Sequence, residues 1–335
     1  MKYQSLEKVF EAFNGLTVLV IGDVMLDSYI WGSVDRISPE APVPIVRVRK
    51  RDYRLGGAAN VALNVQGLGA KPILCALIGD DDAGMKLLGC LDQQRMSKEG
   101  IVVSRNRPTT IKTRLIASHQ HVVRVDEESD QELLKDEEAQ LLKQIEELMA
   151  QCDAIIFEDY DKGVINASLI EKTVALARKK NIPTIVDPKK RNFLDYKEVT
   201  LFKPNLKELR EGLKLDVDAS DSKQVEKAVD KLKSLLNAGV MVTLSEHGVY
   251  IDYLSQKKRF EAHKREIADV SGAGDTVVSI AGLCVALGLP PGFIAALSNL
   301  GGGLVCEHTG VVPINKKELL KESIEMRLDA HLANT

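Results

Sequence analysis

Asp269-Val270-Ser271-Gly272-Ala273-Gly274-Asp275-Thr276 is followed at once by a long apolar stretch, Val277 to Leu289. Small residues at 272, 273 and 274 let the backbone turn tightly and aim successive N–H groups at one spot. The helix that starts there adds its unpaired first-turn amides and the positive end of its dipole. The result is an anion site suited to phosphate. Asp275 stands at its mouth. One reading of that carboxylate is a general base, taking the proton of a hydroxyl as its oxygen attacks phosphorus. The other is an Asp N-cap after a glycine turn, and the segment alone leaves both open.

Upstream, short β-rich apolar runs alternate with amphipathic helical stretches. The runs span 17–22, 72–78, 154–158, 183–186, 199–202 and 240–245, and the helical patterns lie near 57–68, 81–95, 130–149, 166–180, 205–213 and 221–237. Such alternation predicts an α/β fold, a central mostly parallel sheet covered by helices on both faces. In such sheets ligands bind beyond the carboxyl ends of the strands. Those ends carry Gly22-Asp23, Gly79-Asp80, Glu158-Asp159, Asp187-Pro188, Pro204-Asn205 and Ser245-Glu246. Segments 28–54 and 109–126 break the pattern: the first has no helical period and holds Pro39, Pro42 and Pro44, the second is β-rich around Arg114 and Arg124. Both read as strands of a small antiparallel flap inserted into one domain spanning 1–335. A flap of that kind lids an active site or pairs with a second subunit. The acid-rich stretch 126–147 reads as the start of a solvated surface helix.

Composition excludes several classes. With 44% apolar and 28% charged residues the chain is an ordinary globular protein, and a net charge of −3 gives nucleic acid no purchase. Cys75, Cys90, Cys152, Cys284 and Cys306 are scattered without metal-ligand or redox spacing, which suits a reducing compartment. The chain starts without a signal-peptide pattern and holds no run of membrane-spanning length, so a cytoplasmic protein without membrane contact is expected. There is no Gly-Lys pair for a P-loop and no Gly-x-Gly-x-x-Gly for a dinucleotide fold. His119 and His121 share a strand face but lack a third ligand, so zinc is not expected. Gly56-Gly57-Ala58-Ala59-Asn60-Val61-Ala62 is a second glycine turn opening a helix. It reads either as helix packing or as close backbone approach to a ligand, with Asn60 and the nearby Asp23 and Asp27 on sugar hydroxyls.

Taken in order, Gly56–Ala62, Asn205-Leu206-Lys207-Glu208, Thr243-Leu244-Ser245-Glu246-His247-Gly248 and Asp269–Thr276 resemble the signatures of the ribokinase (PfkB) family of sugar kinases. The resemblance covers roughly residues 15–325. Within that family, Gly22–Asp27, the stretch Arg36-Ile37-Ser38-Pro39-Glu40-Ala41-Pro42-Val43-Pro44, Asp159-Tyr160-x-Lys162-Gly163 and Asp187-Pro188-Lys189 are similar to the heptose 7-phosphate kinases of lipopolysaccharide precursor synthesis. The family implies a ribokinase-like three-layer sandwich with a β lid, through which two copies pair. In many relatives the kinase is fused to a cytidylyltransferase-like domain; a chain ending here is expected to be the stand-alone kinase.

The same resemblance implies roles. Asp275 deprotonates the anomeric 1-hydroxyl of D-glycero-D-manno-heptose 7-phosphate, while the amides of Gly272, Ala273 and Gly274 steady the γ-phosphoryl group of ATP. Asp23, Asp27, Gly56, Gly57, Asn60 and Asp159 surround the sugar, and Lys112, Arg114, Arg124, Lys162 and Lys189 are candidates for its 7-phosphate. Asn205, Leu206, Lys207, Glu208, Ser245, Gly248 and Asn299 hold ATP, with Glu208 and Asn205 reaching Mg2+ through its water shell. The family leaves a monovalent cation behind the anion site open. The alternatives are a related kinase acting on fructose, ribose, fructose 6-phosphate or a nucleoside, and a non-catalytic homologue that binds sugar phosphate.

Overall fold

Residues Val18 and Val20 face one hydrophobic core and Leu19 and Ile21 the other. This period of two is what a strand shows when buried on both faces. The computed structural model describes residues 5–117 and 120–332. In chain order these hold α1 (Leu6–Phe13), β1 (Thr17–Gly22), β2 (Val24–Ile37), β3 (Pro44–Gly57), α2 (Ala58–Gly67), β4 (Lys71–Gly79), α3 (Asp82–Gln93) and β5 (Ile101–Ser104). Next come β6 (Ile111–Ala117), β7 (Gln120–Glu127), α4 (Lys135–Met149), β8 (Ala154–Glu158), α5 (Ala167–Lys179), β9 (Thr184–Asp187) and β10 (Leu201–Phe202). The chain continues through α6 (Leu206–Leu213), α7 (Ser222–Leu236), β11 (Gly239–Thr243), β12 (Val249–Tyr253), β13 (Gln256–Phe260), α8 (Ala273–Ala286), α9 (Pro291–Val305) and α10 (Lys316–Glu325).

The main sheet has nine strands in the order β13-β12-β11-β10-β9-β8-β1-β4-β5. It is parallel from β11 to β5, and only the β11–β12–β13 edge is antiparallel. Helices α2, α8 and α9 pack on one face and α4, α5, α6 and α7 on the other. Helix α8 is apolar nearly all round, as a helix buried between a sheet and other helices must be. Close strand contact explains Gly22: a Cβ there would lie 2.0 Å from the Glu158 carbonyl oxygen on β8.

Strands β3-β2-β6-β7 form a separate four-stranded sheet. The flap is therefore mixed, not wholly antiparallel as expected, because β2 and β6 run parallel. The cause is topological: β2 follows β1 and β6 follows β5, so both enter the flap from the carboxyl side of one parallel sheet. The edge strand β3 carries Arg47, Arg49, Lys50, Arg51 and Arg54, and such a charged edge resists edge-to-edge strand pairing. Two boundaries differ from expectation. Strand β11 stops at Thr243, and Ser245 sits in a 3-10 turn with φ 53°. Helix α4 starts at Lys135, and its Glu137 is buried against Ser104 and Asn106 instead of solvated. Among the described residues no helix is long and apolar enough to cross a membrane.

Candidate active site

Three adjacent strands end in charged residues that point to the same face. Ile156, Ile185 and Leu201 face the core under α8, so two residues on, Glu158, Asp187 and Lys203 face it as well. Glu158 pairs in register with Asp187, and Lys203 places its Nζ 2.8 Å from Asp187 Oδ2. The Gly272–Gly274 turn lies directly above them. A Cβ on Gly274 would sit 3.4 Å from Asp187 Oδ2 and 3.9 Å from Lys203 Nζ. Gly272, with φ 82°, occupies the left-handed region that glycine permits, and α8 begins at the next residue.

Asp275 stands in the first turn of α8, buried, with one neutral donor on each oxygen. Asn60 Nδ2 donates to Oδ2 at 2.5 Å and the Tyr160 hydroxyl to Oδ1 at 2.9 Å. Burial pushes its carboxyl above the ordinary aspartate range, with Asp187 adding to the effect, while Asn60, Tyr160 and Lys189 oppose it. The two glycine motifs are thus joined through α2 and α8. Thr276 donates its hydroxyl to Asn64 Oδ1 at 2.9 Å, and that oxygen also accepts the Ile314 amide.

At the start of α6, Asn205 caps the helix by accepting from the Glu208 amide, and its own amide donates to Glu208 Oε2 at 2.8 Å. This is a capping box. The other Glu208 oxygen, Oε1, meets Lys189 Nζ at 2.6 Å. Asn205 also bridges to Thr243 beside the turn that holds Ser245 and Gly248. Leu206 and Lys207 open α6, and Lys207 is exposed beside Glu211. Asn299 on α9 donates to the Glu261 carbonyl. Magnesium takes hard oxygen donors and keeps several waters. With Lys189 already on Oε1, the Asn205–Glu208 pair fits an outer-shell role, and among the described residues no three His, Cys, Asp or Glu side chains converge as a metal cage.

Several residues expected around the sugar stand elsewhere. Asp23 and Asp159 continue the Ile21 and Phe157 face of the sheet, opposite α8. Asp23 accepts from the amides of Tyr160, Lys162 and Val164, and Asp159 from Asn192, Tyr196 and the Asp161 amide. Both are buried and brace the loop after β8 instead of facing a ligand; burial, with help from Asp23, pushes the Asp159 carboxyl up to about 6. Asp27 on β2 is ion-paired with Arg114. Gly56 is explained by the same carboxylate, since a Cβ there would fall 2.4 Å from Asp27 Oδ2. Gly57, at φ 59°, leaves no room for a side chain against the Asp23 carbonyl. Of the cations, Lys112 and Lys162 share Glu128, and Lys112 and Arg124 share Asp126. Lys189 belongs to the Glu208 side. Arg114 lies over the Tyr29 ring together with Arg54, a cation the sequence reading passed over although it ends the first flap segment. His119 lies outside the described residues, and His121 is exposed on β7.

Glu158 has no hydrogen-bond partner on either oxygen among the described residues and is fully buried. Burial, then Asp187 and Asp275, push its carboxyl well above the ordinary glutamate value. The folded state therefore binds the proton more tightly than the unfolded chain. That stabilisation is complete below the ordinary glutamate pKa and is lost as pH rises through the folded value. Glu158→Gln, a fixed mimic of the neutral acid, is expected to match wild type in melting temperature near pH 4 and to exceed it by a few degrees at pH 9, on the order of 1–2 °C per kcal/mol gained. Parallel melting curves for the two proteins across that range would exclude a buried proton on Glu158.

A parallel sheet with a β lid and an anion turn over its carboxyl edge places the molecule in the ribokinase-like fold. Its structural neighbours agree. Phosphofructokinase-2 from Escherichia coli in complex with potassium superposes with a TM-score of 0.74 at 18% identity, covering 95% of this chain and 99% of that one. Arabidopsis thaliana ribokinase complexed with ribose and ATP gives 0.70 at 17% identity over 91% of this chain and 99% of that one. Residues 16–317 match the pfkB family carbohydrate kinases, and the chain belongs to that family. It is a sugar kinase, a phosphotransferase with an alcohol group as acceptor. Curated relatives named bifunctional protein HldE are similar along most of this chain. That of Caulobacter vibrioides is 41% identical over 311 residues, 92% of this chain and 63% of the relative. That of Desulfatibacillum aliphaticivorans is 38% identical over 309 residues, again 92% and 63%. The chain thus spans a little under two thirds of the length of these relatives.

Proposed function

We propose that this kinase transfers the γ-phosphoryl group of ATP to the anomeric 1-hydroxyl of D-glycero-D-manno-heptose 7-phosphate, in the cytoplasm, as a step toward ADP-heptose and lipopolysaccharide core. The observation that carries the reading is Asp275: a buried carboxylate in the first turn of α8, held by two neutral donors and bonded to no cation. A carboxylate so placed keeps its basicity and faces the position of an attacking hydroxyl. The heptose assignment is supported by the Ser38–Pro44 stretch and by the similarity to the HldE relatives.

In this reading the sugar lies between the lid and α2, with Asp27 and Asn60 toward its hydroxyls and Gly56 and Gly57 allowing close approach. Arg114 and Arg54, stacked on Tyr29, take the 7-phosphate, since guanidinium groups bind phosphate in a bidentate manner. Ala273 gives its own amide to the Val270 carbonyl, so the amides of Gly272 and Gly274 face the transferring group. Lys189 and Lys203 supply positive charge beneath it. Asn205, Glu208, Ser245, Gly248 and Asn299 line the nucleotide side. Magnesium carried by the nucleotide phosphates would neutralise their charge, with Glu208 and Asn205 reaching its waters. Two copies pair through the lid, whose Val34, Ile37, Val48, Val123 and Val125 are exposed.

The test is ADP release with magnesium-ATP against D-glycero-D-manno-heptose 7-phosphate, sedoheptulose 7-phosphate, fructose 6-phosphate, fructose and ribose. Each is run with and without potassium, because the family leaves open a monovalent cation behind the anion turn. Turnover on the heptose phosphate alone is the expected result. Preference for an unphosphorylated sugar would discard the heptose assignment and keep the chemistry; silence on every sugar would discard both.

A further inference from the structure

The loop after β8 is tied down more firmly than a connection needs to be. Asp23 takes three of its amides, at 2.8 Å from Tyr160, 3.1 Å from Lys162 and 3.1 Å from Val164. Arg107 donates to the Lys162 carbonyl and to the carbonyls of Ser129 and Gln131. Gly163, at φ 83°, passes so close to Gln131 that a Cβ would lie 2.1 Å from its carbonyl oxygen. From this bracket one side chain, Tyr160, reaches across to α8. Its hydroxyl meets Asp275 Oδ1, and Lys189 Nζ lies 5.1 Å from its ring centre.

We propose that Tyr160 is a positioning residue for phosphoryl transfer, and that the Asp23 and Arg107 bracket exists to hold its hydroxyl on the Asp275 carboxylate. The inference rests on Asp275 being the general base. With Asn60 on the other oxygen, Tyr160 fixes the plane of the carboxylate and favours its ionised form. Burial and the neighbouring Asp275 push the phenol well above its ordinary pKa, so it stays a donor at all working pH values. The charged and titratable groups facing Asp275 are Glu158 from β8, Asp187 and Lys189 from the end of β9, and Tyr160 itself. Of the Asp275 partners among these, only the phenol donates a neutral hydrogen bond.

The experiment compares wild type, Tyr160→Phe and Asp275→Asn with magnesium-ATP and whichever panel sugar turns over fastest, across pH 5–9. Tyr160→Phe is expected to lower kcat about ten- to a hundredfold, the usual worth of a bond to a charged group, with both KM values within about threefold. Its acid limb should move to higher pH, so that the defect shrinks as pH rises. A folded Tyr160→Phe enzyme whose acid limb coincides with wild type overturns the inference. So does a uniform loss at every pH, which a merely structural role would give. If that variant does not fold, 3-fluorotyrosine at 160 replaces it. Its more acidic hydroxyl donates more strongly, so the limb should move to lower pH, and an unmoved limb is again fatal. Near-normal turnover by Asp275→Asn would remove the base assignment, and the inference with it, whereas loss in Asp275→Asn with an unmoved limb in Tyr160→Phe sinks the inference alone.

Discussion

Asp275→Asn is expected to lower turnover about 10²- to 10⁴-fold, the range that loss of a general base produces. Nucleotide binding should change little. The amide keeps the shape of the carboxylate, and its carbonyl oxygen can still accept from Asn60. Its NH2 then faces Tyr160, whose hydroxyl can rotate to accept instead of donate. The fold around α8 should therefore survive, and the defect should lie in kcat. In the wild type, burial raises the carboxyl, so activity should fall on acidification at a higher pH than an exposed aspartate would give. Steady-state rates with saturating substrates, with nucleotide affinity measured by calorimetry, check both parts. A rate close to wild type would refute the assignment.

The second large effect falls on stability. Lys203 is 1% exposed, and Asp187, its one ion-pair partner among the described residues, is 4% exposed. Burial alone would lower the lysine pKa, but Asp187 and Glu208 more than offset it, and the ammonium stays charged. Lys203→Met removes the ion-pair partner of a buried carboxylate, a change that typically costs about 3–5 kcal/mol. Pairing it with Asp187→Asn removes that charge, and the double variant should regain most of the loss. Chemical denaturation of the four proteins of the cycle measures this directly. A Lys203→Met protein that melts with wild type would show that the pair contributes nothing. Because the pair touches the floor of the anion turn, kcat should also fall in the single variant.

What the sequence could show depended on locality. The turn and helix at Gly272–Ala286 were legible because glycine, dipole and apolar run lie within one stretch. The strands β1, β4, β8 and β9 were legible as short β-rich runs between helical patterns. The faces of those strands were not. Glu158 and Asp159 are neighbours, yet one looks toward α8 and the other toward Tyr196. Only the assignment of α8 to one side of the sheet tells them apart, and that is a long-range fact. Strand parity from Ile156 to Glu158, Ile185 to Asp187 and Leu201 to Lys203 groups the buried charges only once the covering helix is known. The flap cations were visible as charges, but their acidic partners Asp126 and Glu128 depend on the register of β6 with β7 and on Lys162 approaching from another loop. Tyr160 was visible inside a motif without a role, since its partner lies 115 residues away.

The bond between Asn60 and Asp275 joins residues 215 positions apart. A ribosome that has finished α2 and most of the sheet has therefore made a protein that still lacks the proposed base. Until α8 emerges, the apolar face of β8 and β9 lacks its cover and stays open to other chains, the exposure that draws chaperones. On the proposed mechanism, catalytic competence then arrives abruptly, with the last fifth of the chain. If Asp275 is the base, a nascent or truncated chain spends no nucleotide, and a lesion that slows the docking of α8 is expected to appear first as insolubility and only secondly as a loss of rate.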